Sequence, residues 1–196
     1  WLKVLLKYQL PPANVVEIGC SHGSFVALLQ TAGYKALGVE VSPWVVNFAH
    51  NTFDVPVYIG PVENLHLPPN SLDVIALMDV LEHLPDPEST LRHCLRLLKP
   101  TGFLLIQTPE YREGMVFEQF LDSNHPFLKM LISDEHLYLF SRRSINTLFR
   151  RLGIGHVNFE AAIFDQYDMF VVAGHEKLNT HDRTIWEEAL LNTPNG

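Results

Sequence analysis

The sequence predicts an α/β fold: a doubly wound sheet, largely parallel, with helices on both faces. Three observations carry that prediction. Apolar runs of strand length alternate with helical patterns through residues 15–107. The run at 72–78 is apolar apart from Asp73, as a strand buried on both faces requires. The first run, Val15-Val16-Glu17-Ile18, ends in Gly19-Cys20-Ser21-His22-Gly23, and a helical pattern opens at Ser24. That is a strand, a tight glycine turn and a helix start, the corner at which such sheets bind ligands.

The elements follow in order. Residues 1–10 set Leu2, Leu5, Leu6 and Leu10 against Lys3 and Lys7, a short amphipathic helix halted by Pro11-Pro12. Residues 15–18 are the first strand, and residues 24–32 the next helix, closed by Gly33. Residues 37–41 are the second strand, after which Ser42 caps and Pro43 opens a helix reaching about His50. Residues 55–59 make a short third strand, with Pro56 marking an edge or a strand start. Beyond the central strand at 72–78, Asp86 caps and Pro87 starts a helix with Leu91, Leu95 and Leu98 on one face. Lys99-Pro100-Thr101-Gly102 reads as a turn into a fifth strand at 103–107. Residues 108–139 then break the rhythm, rich in aromatic and polar side chains (Tyr111, Phe117, Phe120, His125, Phe127, His136, Tyr138). Long insertions of this kind serve as lids or binding loops. Residues 141–152 form a helix capped by Ser141 and closed by Gly153, and residues 157–162 and 167–173 are the last strands. The reading is one domain over 1–175, with a lid at about 109–139, and a polar tail over 176–196 with a helix near 185–191.

Composition narrows the function. The chain has 196 residues, 47% hydrophobic and 18% charged, enough for a single globular core. A net charge of −8 argues against a phosphate-backbone binder, so no nucleic-acid partner is expected. Cys20 and Cys94 make neither a disulfide framework nor a metal cluster, so a reducing, cytoplasmic setting is expected. No apolar run approaches the ~18 residues of a transmembrane segment, and no secretory signal pattern is present. The chain opens on Trp1 rather than Met, which leaves room for further domains beyond the termini.

The glycine turn carries the chemistry. Gly19 and Gly23 can take conformations that a side chain would block, and the helix start offers free N–H groups over the turn. Glu40, at the end of the second strand, stands where an acid can accept both hydroxyls of a ribose. The site therefore reads as one for a nucleoside-bearing cofactor. A dinucleotide site would show Gly-x-Gly-x-x-Gly; here the spacing is Gly19-x-x-x-Gly23, with Ser21 at the middle position. Glu17, two residues ahead of Gly19, would repel a pyrophosphate and suit a cation. S-adenosylmethionine, with a ribose, an ammonium, a sulfonium and no phosphate, fits. A nicotinamide-dependent oxidoreductase is disfavoured on the same grounds.

With the turn, Glu40 and the later block DVIALMDVLEHLPDPESTLRHCLRLLKPTGFLLIQTP in place, the chain resembles the class I S-adenosylmethionine-dependent methyltransferases. It is most similar in style to ubiquinone-type O-methyltransferases and sugar or natural-product methyltransferases, and EHLYLFSRRSINTLFRRLG adds to the likeness. The resemblance implies a Rossmann-like, seven-stranded sheet ending in an antiparallel hairpin, with a lid inserted between strand five and the following helix. It implies roles too. Gly19, Cys20 and Gly23 would line the methionine part of the cofactor through backbone atoms, with Glu17 orienting the turn and the ammonium, and Ser21 is counted among the cofactor-binding residues. Glu40 would take the ribose hydroxyls, with Val41 beside the adenine. The loop after strand three would hold the adenine through Val62 and Glu63, although Pro61 replaces the family's usual acid there. Met78 would cover the ligand and Asp79 stand at its rim.

An oxygen acceptor must lose its proton, and histidine is the side chain whose ordinary titration spans working pH. His83 is the first candidate base, against a structural role in the Glu82-His83-Leu84-Pro85 turn, and His136 in the lid is the second. His66 and His93 read as surface residues. No metal is indicated, because the His and acid residues lack ligand spacing. The function expected is methyl transfer to a small or medium polar acceptor such as a sugar, quinol or natural-product intermediate, with O-methylation favoured. The alternative is a non-catalytic methyltransferase-like domain that binds cofactor or partner within a larger protein.

Overall fold

The computed structural model describes residues 1–132, 134–163 and 167–193. Residue 133 of the inserted segment and residues 194–196 of the polar tail, both covered by the expectations above, lie outside the described residues.

Seven strands form one sheet: β1 (Asn14–Ile18), β2 (Lys35–Glu40), β3 (Val57–Ile59), β4 (Leu72–Met78), β5 (Leu98–Pro109), β6 (His156–Glu160) and β7 (Asp168–Gly174). Their order is β3-β2-β1-β4-β5-β7-β6, parallel through β5, with β7 antiparallel to both its neighbours. The helices are α1 (Leu2–Tyr8), α2 (Ser24–Thr31), α3 (Pro43–Phe53), α4 (Pro87–Leu97), α5 (Phe117–Asp122), α6 (Arg142–Arg151) and α7 (Arg183–Leu191). Alternation along the central strands divides the core in two. Val16, Ile18, Ile75, Leu77, Leu104 and Ile106 face α4 and α6 through Leu91, Cys94, Leu97, Ile145 and Phe149. Val15, Val74, Ala76, Phe103 and Leu105 face α1 and α2 through Leu5, Leu6, Phe25, Val26 and Leu29. Trp186 and Leu190 of α7 pack on that second cluster.

The structure corrects some boundaries. Lys99-Pro100-Thr101-Gly102 is not a free turn: β5 already starts at Leu98, which pairs with Leu72 before the register shifts toward Val74. Leu98 is buried, so its side chain draws the chain onto the sheet five residues early. β3 is shorter than expected, beginning after Pro56. Pro56 has no N–H for a ladder, and only its carbonyl joins, accepting from Gly38 N at 2.9 Å. His93 is half-buried rather than on the surface, with Nε2 enclosed.

The inserted segment carries α5 and a 3-10 turn at Pro126–Met130. Phe120, Phe127 and Tyr111 form a small aromatic cluster of its own, with ring centroids 5.4–5.8 Å apart. The segment is strapped to the loop after β4. Leu137 N and Tyr138 N donate to the Glu82 carbonyl at 2.9 and 3.2 Å, and Tyr138 Oη donates to Pro85 O at 3.1 Å.

Candidate functional site

β1 delivers the chain into a turn where Gly19, Ser21 and Gly23 all have positive φ, at 66°, 46° and 78°. A Cβ on Gly19 would stand 2.5 Å from Val80 Cγ2, and one on Gly23 2.8 Å from Val55 Cγ2. Conformation and crowding therefore both require glycine at these two positions. Gly19 N and Cys20 N donate to Val39 O at 2.8 and 3.1 Å, which ties the turn to the end of β2. Glu40, the last residue of β2, accepts from Ser21 N (3.1 Å), Val41 N (2.8 Å) and Ser42 N (3.0 Å). One carboxylate thus braces both the glycine turn and the entry to α3.

Beneath the turn, Glu17 is buried and accepts a hydrogen bond from the Val26 N–H in the first turn of α2. Its Oε2 is enclosed with no partner among the described residues. Burial pushes the Glu17 carboxyl up to about 8.

A cavity of about 510 Å³ opens at the carboxyl ends of β1, β2 and β4, within the range of small-molecule sites. Gly19, Glu40, Val41, Val62, Glu63 and His83 line it, as six of the residues singled out in the sequence. The others take different places. Cys20 is buried with its sulfur against Gly38 of β2, which leaves its backbone for the turn. Ser21 is exposed and its hydroxyl meets His22 Nδ1 at 3.0 Å. Met78 is buried in the α1–α2 side of the core. Asp79, with φ at 56°, accepts from Gln107 Nε2 at 3.1 and 3.0 Å, and Gln107 Oε1 accepts from Trp1 Nε1 at 2.8 Å. Glu63 accepts from Thr90 Oγ1.

Sequence reasoning missed one wall of the cavity. Leu84, Pro85, Asp86, Ser89 and Thr90 line it from the loop after β4 and the first turn of α4. The Asp86-Pro87 signal located that helix start, and Asp86 does cap it by accepting from Ser89 N at 3.0 Å, but only the tertiary fold swings it over the cavity. Gln107 and Asp168 were also missed. Asp168 opens β7 opposite Pro109, and burial with the charges of Asp79 and Glu82 pushes its carboxyl up to about 7.

His83, which lines the cavity, and His136 stack edge to face, with ring centroids 4.8 Å apart. His83 Nδ1 bonds Glu135 O at 2.8 Å, and His136 Nδ1 bonds Met130 O at 2.7 Å. A carbonyl only accepts, so both rings donate from Nδ1 and, when neutral, keep their lone pair at Nε2. Glu82 is buried next to them. Its Oε2 accepts from Thr108 Oγ1 at 2.9 Å, its Oε1 has no partner among the described residues, and burial raises its carboxyl.

A family model described as a methyltransferase domain matches residues 1–155. The chain belongs to that methyltransferase family. It is a class I, S-adenosylmethionine-dependent methyltransferase domain, and S-adenosylmethionine is its cofactor. Over 111 residues it is 32% identical to a ubiquinone biosynthesis O-methyltransferase of Xanthomonas campestris, an alignment covering 54% of this chain and 46% of that one. A protein of the same name from Coxiella burnetii is 30% identical over 115 residues, covering 54% and 49%. The chain thus matches about half the length of these curated relatives. Among solved structures, the fold is shared with an S-adenosylmethionine-dependent methyltransferase from Archaeoglobus fulgidus (TM-score 0.68, 18% identity, 88% and 90% covered). It is shared too with Haemonchus contortus phosphoethanolamine N-methyltransferase 2, solved in complex with S-adenosyl-L-methionine (TM-score 0.68, 16% identity, 86% and 50% covered).

The methyltransferase cavity fits this cofactor by its own chemistry. Its lining includes the acids Glu40, Glu63 and Asp86 and no lysine or arginine. Such a wall repels a pyrophosphate and accepts a phosphate-free, cationic nucleoside. Among the described residues, no helix is long and apolar enough to cross a membrane.

Proposed function

We propose that this methyltransferase moves a methyl group to a hydroxyl of a small or medium polar acceptor, of the sugar, quinol or natural-product kind, in a cytoplasmic setting. The observation that carries the reading is His83. It lines the cofactor cavity and also faces the inserted segment, with Nδ1 held by the Glu135 carbonyl and Nε2 left as the proton-accepting atom. The likeness to O-methyltransferases supports oxygen as the acceptor atom.

When bound, S-adenosylmethionine supplies a methyl carbon already activated by a sulfonium. The chain's own contribution is placement, which in well-aligned reactions is worth ~7–11 kcal/mol. Glu40 is the residue for the ribose hydroxyls, while Val41, Val62 and Glu63 border the adenine side. Glu17 and the Gly19–Gly23 backbone serve the methionine side, with Met78 and Asp79 behind. His83 takes the acceptor's proton at Nε2, and His136, in edge contact with it, holds the ring or serves as the second base. With the cofactor bound, the methyl carbon would pass to the acceptor oxygen as its bond to sulfur breaks, leaving a neutral thioether; that transfer is the chemistry the cofactor would supply.

Calorimetric titration with S-adenosylmethionine and S-adenosylhomocysteine, with NAD as control, tests the cofactor site. Micromolar binding of both sulfur ligands, weakened about 10–100-fold in Glu40→Ala, is expected from a net loss of about one charged hydrogen bond, ~1.5–3 kcal/mol. Absence of binding to the parent chain would sink the enzyme reading and leave a non-catalytic partner-binding domain. A methyl-acceptor screen with His83→Gln then tests the base: turnover should fall ~10²–10⁴-fold with cofactor affinity retained.

A further inference from the structure

We propose that Gln107 is a positioning residue for the cofactor's methionine end: fixed by Trp1, it aims the Asp79 carboxylate at the ligand's ammonium. This role rests on the cofactor site described above and extends it to two residues, Gln107 and Trp1, that lie outside the cavity lining.

Three side chains form a chain of contacts. Gln107 lies in β5 level with Met78, the last residue of β4, and is 2% exposed. Its Nε2 donates to both Asp79 oxygens at 3.1 and 3.0 Å, and its Oε1 accepts from Trp1 Nε1 at 2.8 Å. An indole N–H only donates and a carboxylate only accepts, so one orientation of the amide satisfies both ends. Trp1 in turn packs edge to face on Phe25 in the first turn of α2, with ring centroids 5.4 Å apart. With that anchor in place, the amide cannot rotate without leaving a buried polar group unpaired. A backbone bond, from Asp79 N to Gln107 O at 3.0 Å, ties the same two residues again.

Three further observations direct this carboxylate to a ligand. Asp79 has φ at 56°, a left-handed conformation that costs a residue with a side chain free energy and that gathers at ligand sites. It leaves Asp79 exposed while Gln107, itself buried, holds the carboxylate in place. Asp79 also stands beside the glycine turn: β4 pairs with β1 at Ile18 and Leu77, and Val80, the next residue, crowds Gly19. Finally, the charge of Asp79 has no cation to meet it. Gln107 is neutral, and among the described residues no salt bridge brings a lysine or arginine to Asp79. A carboxylate so placed makes a strong, charge-assisted bond to an ammonium. Glu17, on the same side, is the weaker source of charge, because burial pushes its carboxyl up to about 8 and Val26 N already engages it.

Calorimetric titration of the chain with two ligands tests this role. S-adenosylhomocysteine carries the amino-acid end, and 5′-methylthioadenosine has the same adenosine and sulfur without it. Asp79→Asn keeps the shape and an acceptor for Gln107 but removes the charge. It should weaken S-adenosylhomocysteine about 10–100-fold and methylthioadenosine by less than about 2-fold. Gln107→Leu should weaken S-adenosylhomocysteine about 3–10-fold, the worth of one neutral hydrogen bond, and again spare methylthioadenosine. Because Gln107 acts through Asp79, the double variant should bind no more weakly than Asp79→Asn alone. Each variant is checked for an unchanged thermal melt. Should Gln107→Leu melt below the parent, Trp1→Phe decides in its place: it keeps a ring on Phe25, frees the amide, and should weaken S-adenosylhomocysteine about 2–5-fold while sparing methylthioadenosine. Equal weakening of the two ligands, additive losses in the double variant, or unchanged binding of S-adenosylhomocysteine would overturn the proposal. If neither ligand binds the parent chain, the cofactor site itself fails and the positioning role falls with it.

Discussion

Replacing Gly19 by alanine tests whether the turn is built as described. Gly19 sits at φ 66°, where an L-residue costs ~1–2 kcal/mol. The new Cβ would also lie 2.5 Å from Val80 Cγ2, well inside van der Waals contact. Relieving that overlap must move Val80 or the strand end, at a typical overpacking cost of ~1–3 kcal/mol. The sum is ~2–5 kcal/mol, or a melting temperature lowered by about 4–20 °C for a chain of this size. Val80→Ala separates the two contributions. In Gly19→Ala/Val80→Ala the overlap is gone and only the backbone strain remains. The double variant should therefore be more stable than the two single effects added, by about 1–3 kcal/mol. Urea unfolding of the four proteins measures this coupling directly. Both residues line the cavity, so Gly19→Ala should weaken cofactor binding as well. If Gly19→Ala melts within a degree of the parent, or the two substitutions simply add, the crowded left-handed turn is not what requires glycine there.

Three further outcomes are expected. Glu17, held near 8 against an ordinary 4.5, keeps its proton in the folded chain over a window in which the unfolded chain has lost it. Its contribution is full below about 4.5 and is lost as the pH rises to about 8, so stability of the parent relative to Glu17→Gln should fall across that window by up to ~1.4 kcal/mol per pH unit. A flat difference across the window, measured by denaturant titration, would refute it. Asp86→Ala removes the cap on Ser89 N and should cost ~1 kcal/mol in thermal melts, within 0.5–2. Phe149→Ala, in the main core, should cost ~3–5 kcal/mol globally, whereas Phe120→Ala should chiefly open the inserted segment. Limited proteolysis should then cut within 111–139 in Phe120→Ala, with a smaller loss of melting temperature.

Much of the cofactor side was legible because it is local. Glu17 to Gly23 form one strand-turn-helix corner, and the positive φ of Gly19 and Gly23 is what glycine at those positions announces. Glu40 was legible as the acid ending β2, though its bracing of Ser21, Val41 and Ser42 was not. Leu98 shows the opposite case. Lys99-Pro100-Thr101-Gly102 has every local mark of a turn, yet pairing of Leu98 with Leu72 brings it into β5. His93 likewise looked like surface and is half-buried, since exposure depends on what packs over a helix face.

The sequence by itself determined the α/β alternation, the glycine turn and the acid that ends the second strand. Each of these depends on neighbours within a few residues, through backbone conformation, capping and hydrophobic period. Only the tertiary structure decided the strand order and the wall built from Leu84–Thr90. It alone linked Trp1 to Asp79 through Gln107, and gathered Glu82, His83 and His136 beside one enclosed carboxylate oxygen. Those pairings join segments up to about a hundred residues apart. They arise from how helices and the inserted segment pack on a common sheet, a long-range matter on which local pattern is silent.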